Sequence, residues 1–201
     1  MNADFFAHLG THVGLAVSAL LAALVIAIPL AAGIAERNRL RSVTLGFVNV
    51  LRVIPSLAVL VLALPFLGVG FRPALLALAL LAIPPIVINT DLGLRSVPTP
   101  LLEAARGLGM TAEQISRRVR WPLAAPVVLA GVRTAAVEVI ASATLAAFIG
   151  GGGLGEYIID GLANQDYSEL LTGAVAVAAL AILTELALGA LTRRLTSKGQ
   201  P

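Results

Sequence analysis

A chain of 201 residues that is 58% hydrophobic and 12% charged, with a mean hydropathy of +0.95, carries about half the charge of an ordinary soluble domain; its main solvent is a bilayer. The absence of cysteine excludes disulfides and thiolate metal sites, and two histidines, His8 and His12, leave little for zinc chemistry or a histidine-based dyad. A net charge of +3 would suit nucleic acid, but the basic residues sit in short loops beside apolar runs, which marks membrane orientation rather than a phosphate-tracking face.

Met1 to Gly10 carries Asp4 and no Lys or Arg, whereas a cleavable signal needs a positive start, so the first apolar run is expected to be a retained span. About 20 apolar residues cross the hydrocarbon core. By that measure the spans fall at residues 13–35, 43–67, 73–89, 123–149 and 170–191, in a single transmembrane domain over 1–201. The second is interrupted by Arg52 and Pro55 and reads as one kinked span in preference to a shorter pair. The third contains Pro84-Pro85, which is expected to bend or locally unwind it.

Charge alternates from loop to loop. Arg37, Arg39 and Arg41 follow the first span, Arg95, Arg106, Arg117, Arg118 and Arg120 the third, and Arg193, Arg194 and Lys198 the fifth. The intervening loops hold Arg72, and then the acidic set Glu156, Asp160, Asp166 and Glu169. The positive-inside rule therefore places the N-terminus outside and the C-terminus inside, with five spans satisfying the parity. The expected fold is an all-α integral membrane protein with a helical cytoplasmic loop at about 95–122.

That loop reads as two short helices. Thr99-Pro100 supplies a cap and a first-turn proline, and Leu101, Leu102, Ala105 and Leu108 recur at helical spacing. Gly109 ends the helix in a left-handed conformation, Thr111-Ala112-Glu113-Gln114 is a capping box, and Pro122 marks entry to the fourth span. A short amphipathic helix turned sharply at both ends suits a partner's groove.

The loop resembles that of permease subunits of ATP-binding-cassette importers, in which Glu-Ala-Ala is followed after three residues by Gly and after nine more by Ile-x-Leu-Pro. Here the run is Glu103-Ala104-Ala105, Gly109, then Val119-Arg120-Trp121-Pro122, with the spacing kept and Val119 and Trp121 as apolar departures. Arg52-Val53-Ile54-Pro55-Ser56-Leu57-Ala58 and Gly131-Val132-Arg133-Thr134-Ala135 look like further family segments. The stretch from Ala143 through Gly150-Gly151-Gly152-Gly153-Leu154-Gly155-Glu156-Tyr157 is similar to the branch importing glycine betaine, carnitine and choline. Ile88 and Glu138 depart from that pattern. The resemblance implies a bacterial or archaeal multi-pass cell-membrane protein that pairs with a second permease copy or paralogue. It also implies that two ATPase subunits, which hold the ATP and Mg, dock on the Glu103–Gly109 region. An extracytoplasmic binding protein selects the solute.

The residues support a non-enzymatic reading beside the resemblance. Gly150 to Gly155 formally contains G-x-G-x-x-G, but it follows a spanning helix rather than a strand; a helix break or gate at the outer mouth, or a plain turn, fits better than nucleotide binding. No G-x-x-x-x-G-K-[ST] phosphate loop occurs, so neither cofactor nor catalytic site is expected in this chain. One Trp, two Tyr and six Phe, widely spread, do not suggest an aromatic cage for a quaternary ammonium, which leaves selection to the binding protein. Among intramembrane charges, Glu138 is the candidate for lining the pathway, or alternatively pairs with Arg52 or Arg133. Arg133 could also snorkel inward, Glu185 reach the interface or pair with Arg193 or Arg194, and Asp91 make a cap or loop contact. The rival functions are a permease for methionine or another amino acid and, in a different class, an ion-coupled secondary carrier.

Overall fold

Backbone in hydrocarbon must satisfy its hydrogen bonds within each segment, and among the described residues of this computed structural model, 3–197, every regular element is helical. Lys198, counted above with the last basic cluster, lies outside the described residues. Helix α1 (Ala3–Ile34) has 32 residues, about 48 Å at 1.5 Å per residue, and so exceeds the hydrocarbon thickness of about 30 Å. Helices α2 (Asn38–Leu51) and α3 (Ser56–Leu67) meet at 92°, a sharper break than the kink expected at Pro55. Pro55 lacks the N–H that would continue α2 and pushes Ile54 out of helical geometry, so the chain turns over the exposed residues Arg52 to Pro55.

Helix α4 (Phe71–Arg95) runs through Pro84 and Pro85 without unwinding, contrary to one of the two outcomes expected there. The short helices α5 (Thr99–Gly107) and α6 (Ala112–Ile115) follow, and a π-helical turn, Ser116–Arg120, joins α6 directly to α7 (Trp121–Ser142). The wider π turn sits just ahead of Pro122, where a missing N–H would otherwise interrupt the ladder. Beyond α7 the helix tightens into a 3₁₀ segment, Ala143–Ile149, before the glycine run, α8 (Gly155–Ala163) and α9 (Tyr167–Ser197). Four of these helices are long and apolar enough to cross a membrane, and a fifth crossing is reached if the bent pair α2–α3 forms one span.

Helix α4 is central, packed on α1 along one side and α7 along the other, while α9 lies against α7 and α8. Lipid tails are as apolar as leucine, so helix association here depends on close van der Waals fit. The sequence provides it with small residues. Ala19, Ala23, Ala27 and Ala31 are all fully buried and form a four-residue stripe on α1. On α7, a Cβ built at Gly131 would lie 2.5 Å from Asn89 Cβ and 2.7 Å from Pro85 O, so only glycine permits α7 to approach α4 there. Asn89 Nδ2 donates to the same Pro85 carbonyl at 2.8 Å and satisfies it.

Candidate functional site

The first candidate region is the end of the bundle carrying the short helices. Helix α5 starts at Thr99, with Pro98 in the cap position and no side-chain cap, so Thr99 is one residue inside the helix rather than its cap. The apolar positions of α5 divide between two faces. Leu102 and Ala105 are buried in a small cluster with Val97 and Ile115, with Met110 and Val119 packed against it. Leu101 and Leu108 point outward, Leu108 being 83% exposed. Glu103 and Ala104 are exposed with them, as are Gly109 and Pro122. One face of α5 therefore anchors it, and the other offers leucine, alanine and a carboxylate to solvent.

Local chemistry fixes this arrangement. Gly109 takes φ +78°, the left-handed value expected of it. The capping box is formed on both sides: Gln114 N–H donates to Thr111 Oγ1 at 3.3 Å, and Thr111 N–H donates to Gln114 Oε1 at 2.8 Å. Two ion pairs then tie the short-helix end to the rest of the bundle. Arg120, in the π turn, donates through Nη1 to Glu36 just past the end of α1, at 2.5 Å. Asp91, only 2% exposed, receives Arg41 Nε at 2.8 and 2.9 Å and Arg41 Nη2 at 2.8 Å, which clamps α2 to α4. Asp91 is thus a buried ion-pair partner rather than a cap. A polar cleft of about 410 Å³ lies beside Glu36 and Arg120, between α5 and the ends of α1 and α4.

The second region is the glycine run at the other end. Gly150 adopts φ +68° and terminates the 3₁₀ segment; Gly152 and Gly153 also have positive φ. A Cβ at Gly155 would lie 2.1 Å from the Thr144 carbonyl oxygen, and one at Gly151 would lie 2.9 Å from that of Ala146. The run is therefore a compact backbone fold that turns α8 back against the 3₁₀ segment. Gly70, in the α3–α4 turn, donates its N–H to Ile149 O at 2.7 Å and brings that turn to the same place.

The histidines, which composition set aside, hold this fold to α1. Fully buried His12 donates through Nε2 to Ile140 O at 3.0 Å, while its Nδ1 has no hydrogen-bond partner and faces Gly153, where an added Cβ would lie 3.1 Å from it. His8 places Nε2 2.6 Å from Glu156 Oε2 and Nδ1 2.6 Å from Asp4 O, and so bridges α1 to the start of α8. Tyr157 packs edge-on against both His8 and Phe5. The four-residue spacing of His8 and His12, which puts them on one helical face, was the available sequence signal.

The third group is the set of charges within the helices. Arg133 pairs with Glu185 of α9, so Arg133 is not left to snorkel alone. Gly189 lies under this pair, its added Cβ position being 3.3 Å from Arg133 Nη1. Glu138 is half-buried and, among the described residues, makes no ion pair within 4.0 Å with Arg52 or Arg133. Arg52 is exposed at the α2–α3 elbow.

Known proteins share both the sequence and the architecture. Residues 13–197 match the family model described as binding-protein-dependent transport system inner membrane component. The chain is 42% identical over 171 residues to the glycine betaine/carnitine/choline transport system permease protein OpuCB of Bacillus subtilis, covering 85% of this chain and 79% of that one. It is 46% identical over 160 residues to the carnitine transport permease protein OpuCB of Listeria monocytogenes, covering 80% and 73%. Against the osmoprotectant import permease protein OsmY of Salmonella typhimurium it is 42% identical over 168 residues, covering 84% and 69%. In three dimensions it overlays a chain of the inward-facing MetNI methionine ABC transporter with a TM-score of 0.85 over 97% of this chain and 99% of that one, at 22% identity, a likeness of fold. The chain belongs to the family of binding-protein-dependent transport system inner membrane components, and is a multi-pass membrane permease.

Proposed function

We propose that this chain is the permease subunit of an ATP-driven importer for a small compatible solute such as glycine betaine, choline or carnitine. The observation that carries the coupling part is α5: it is anchored through Leu102 and Ala105 and leaves Leu101, Glu103, Ala104 and Leu108 uncovered. An exposed leucine on a short helix anchored by its other face loses free energy in water and gains it in a partner's cleft. The ATPase subunits would dock there, hold ATP and Mg, and supply the closing motion; this chain has no phosphate loop of its own.

In this reading the short-helix end faces the cytoplasm, because the arginines concentrate there, and the glycine run faces outward with the acidic residues. The π turn leads from α6 into α7 without a break, and the Arg120–Glu36 pair links it to α1, so a displacement of α5 and α6 has a direct route into two long helices. The glycine run closes the outer end. An external binding protein would deliver the solute, and a second permease copy or paralogue would complete the pathway. The substrate class rests on what the relatives at 42 and 46% identity are named for transporting.

The test is uptake of labelled glycine betaine, choline and carnitine by cells lacking their own osmoprotectant importers and expressing this chain with its ATPase and binding protein. ATP-dependent uptake of at least one is expected. Leu108→Asp and Glu103→Lys should remove it by about tenfold or more while the chain stays inserted at wild-type level, because both positions are exposed and contribute little to the fold. Uptake by this chain alone, driven by an ion gradient, would replace the importer reading with that of a secondary carrier.

A further inference from the structure

The polar cleft of about 410 Å³ between α5 and the ends of α1 and α4 has a size that suits a small ligand and an unbalanced charge. Arg95, Arg106, Arg120 and Glu36 line it, three guanidiniums against one carboxylate. Two of the guanidiniums are placed on successive residues at the end of α1: Arg95 Nη1 donates to Ala35 O at 3.4 Å, and Arg120 Nη1 to Glu36 Oε1 at 2.5 Å. Arg120 Nε is buried without a partner. Arg106 enters from α5 and makes no ion pair among the described residues. Each guanidinium carries five N–H donors, so the cleft holds donors and positive charge that its single carboxylate does not match.

This is a different surface from the bare face of α5. Thr99, Leu102 and Arg106 recur at i, i+3 and i+7 and turn one side of the helix to the cleft, whereas Leu101, Ala104 and Leu108 share the opposite side. A protein seated on those leucines meets α5 from the far side.

The position of the cleft points to a lipid. Helices α1 and α4 are both long enough to span, and the cleft sits where both end. Leu92, 56% exposed, precedes Arg95 by one turn of α4 and continues toward the membrane as apolar surface. Trp121, the only tryptophan of the chain, lines an adjoining hollow that shares Glu36 and Arg120, and an amphipathic indole settles at the headgroup level. A guanidinium fork matches phosphate, and basic pockets at the cytoplasmic ends of spans suit anionic headgroups. A zwitterionic headgroup brings its own cation and gains less.

We propose that this cleft binds the phosphate of an anionic phospholipid of the cytoplasmic leaflet. Arg95 and Arg106 supply the open donors, Arg120 is held in place by Glu36, and an acyl chain runs along α4 past Leu92. The assignment takes its leaflet from the orientation above and does not depend on which solute is carried.

The experiment titrates the importer, purified in mild detergent with its ATPase subunit, with phosphatidylglycerol or phosphatidylcholine and counts bound lipid by native mass spectrometry. The wild type should retain phosphatidylglycerol in preference to phosphatidylcholine. The double variant Arg95→Gln/Arg106→Gln should weaken that retention by about tenfold or more. Arg117→Gln/Arg118→Gln, which removes the same charge from exposed positions outside the cleft, should stay within about threefold of the wild type. Equal weakening in both double variants, or no preference for the anionic lipid, would overturn the assignment. Displacement of the lipid by inorganic phosphate would give the cleft to a soluble anion and overturn it too. Loss of the ATPase subunit from the cleft variant would place these arginines in the docking surface instead. A failed importer reading shows separately, as a wild-type chain that brings no ATPase with it, and the same titration is then made on the chain alone.

Discussion

The two ends of the bundle are held by different kinds of contact. At the glycine end the run itself packs at backbone distance, with the histidine side chains fastening it to α1: Gly155 leaves its would-be Cβ 2.1 Å from a carbonyl oxygen, and Gly153 lies against the ring of fully buried His12. At the short-helix end side chains do the joining, through Arg41–Asp91 and Arg120–Glu36, and the outer surface of α5 is left bare. A surface fitted at backbone distance admits no added atom, whereas one held by side chains can be altered position by position. The glycine end therefore suits a closure with one geometry, and the short-helix end suits a surface that must meet and follow another protein.

Substitutions can break this contrast in order of effect. Asp91→Ala should be the most damaging, because it removes the charge-assisted hydrogen bonds that clamp α2 to α4; about 2–3 kcal/mol of stability is expected to go, read from thermal unfolding in detergent. Gly155→Ala should cost about 1–3 kcal/mol in the same assay, since neither Thr144 O nor α8 can yield without disturbing the run. Gly107→Ala in α5 meets nothing within 4 Å, and should be neutral or stabilising by up to about 1 kcal/mol through helix propensity. Glu113→Gln breaks only the exposed pair with Arg117 and should leave the melting temperature unchanged. If Gly155→Ala proved as harmless as Gly107→Ala, the glycine end would be a plain turn and the contrast would dissolve.

The sequence was most informative where a single residue type answers a local need. Gly109 had to turn left-handed, Thr111 and Gln114 had to cap, and the apolar runs had to be helical, because each follows from chemistry within a few residues. It was least informative where the answer lies across the bundle. Glu185 on α9 reaches Arg133 on α7, and Asp91 reaches back fifty residues to Arg41. The histidines looked idle because their partners, Glu156 and the Ile140 carbonyl, are more than a hundred positions away. On α5, helical spacing grouped Leu101 and Leu108 with Leu102 and Ala105; only tertiary packing separates the covered pair from the bare one. The unwinding allowed for at Pro84-Pro85 did not occur: α4 stays helical, and Asn89 satisfies the Pro85 carbonyl where Gly131 lets α7 come close.

The central claim, that the bare face of α5 receives an ATPase subunit, is tested most directly by cross-linking in a chain that has no cysteine of its own. A single cysteine at Leu108 or at Leu102, treated with a short thiol–amine reagent in membranes containing the co-expressed importer, should behave differently at the two positions. The account predicts a covalent adduct between Leu108→Cys and a co-expressed ATPase subunit, and none from the buried Leu102→Cys. An intact, co-purifying complex in which Leu108→Cys never cross-links while cysteines placed elsewhere on the chain do would contradict it.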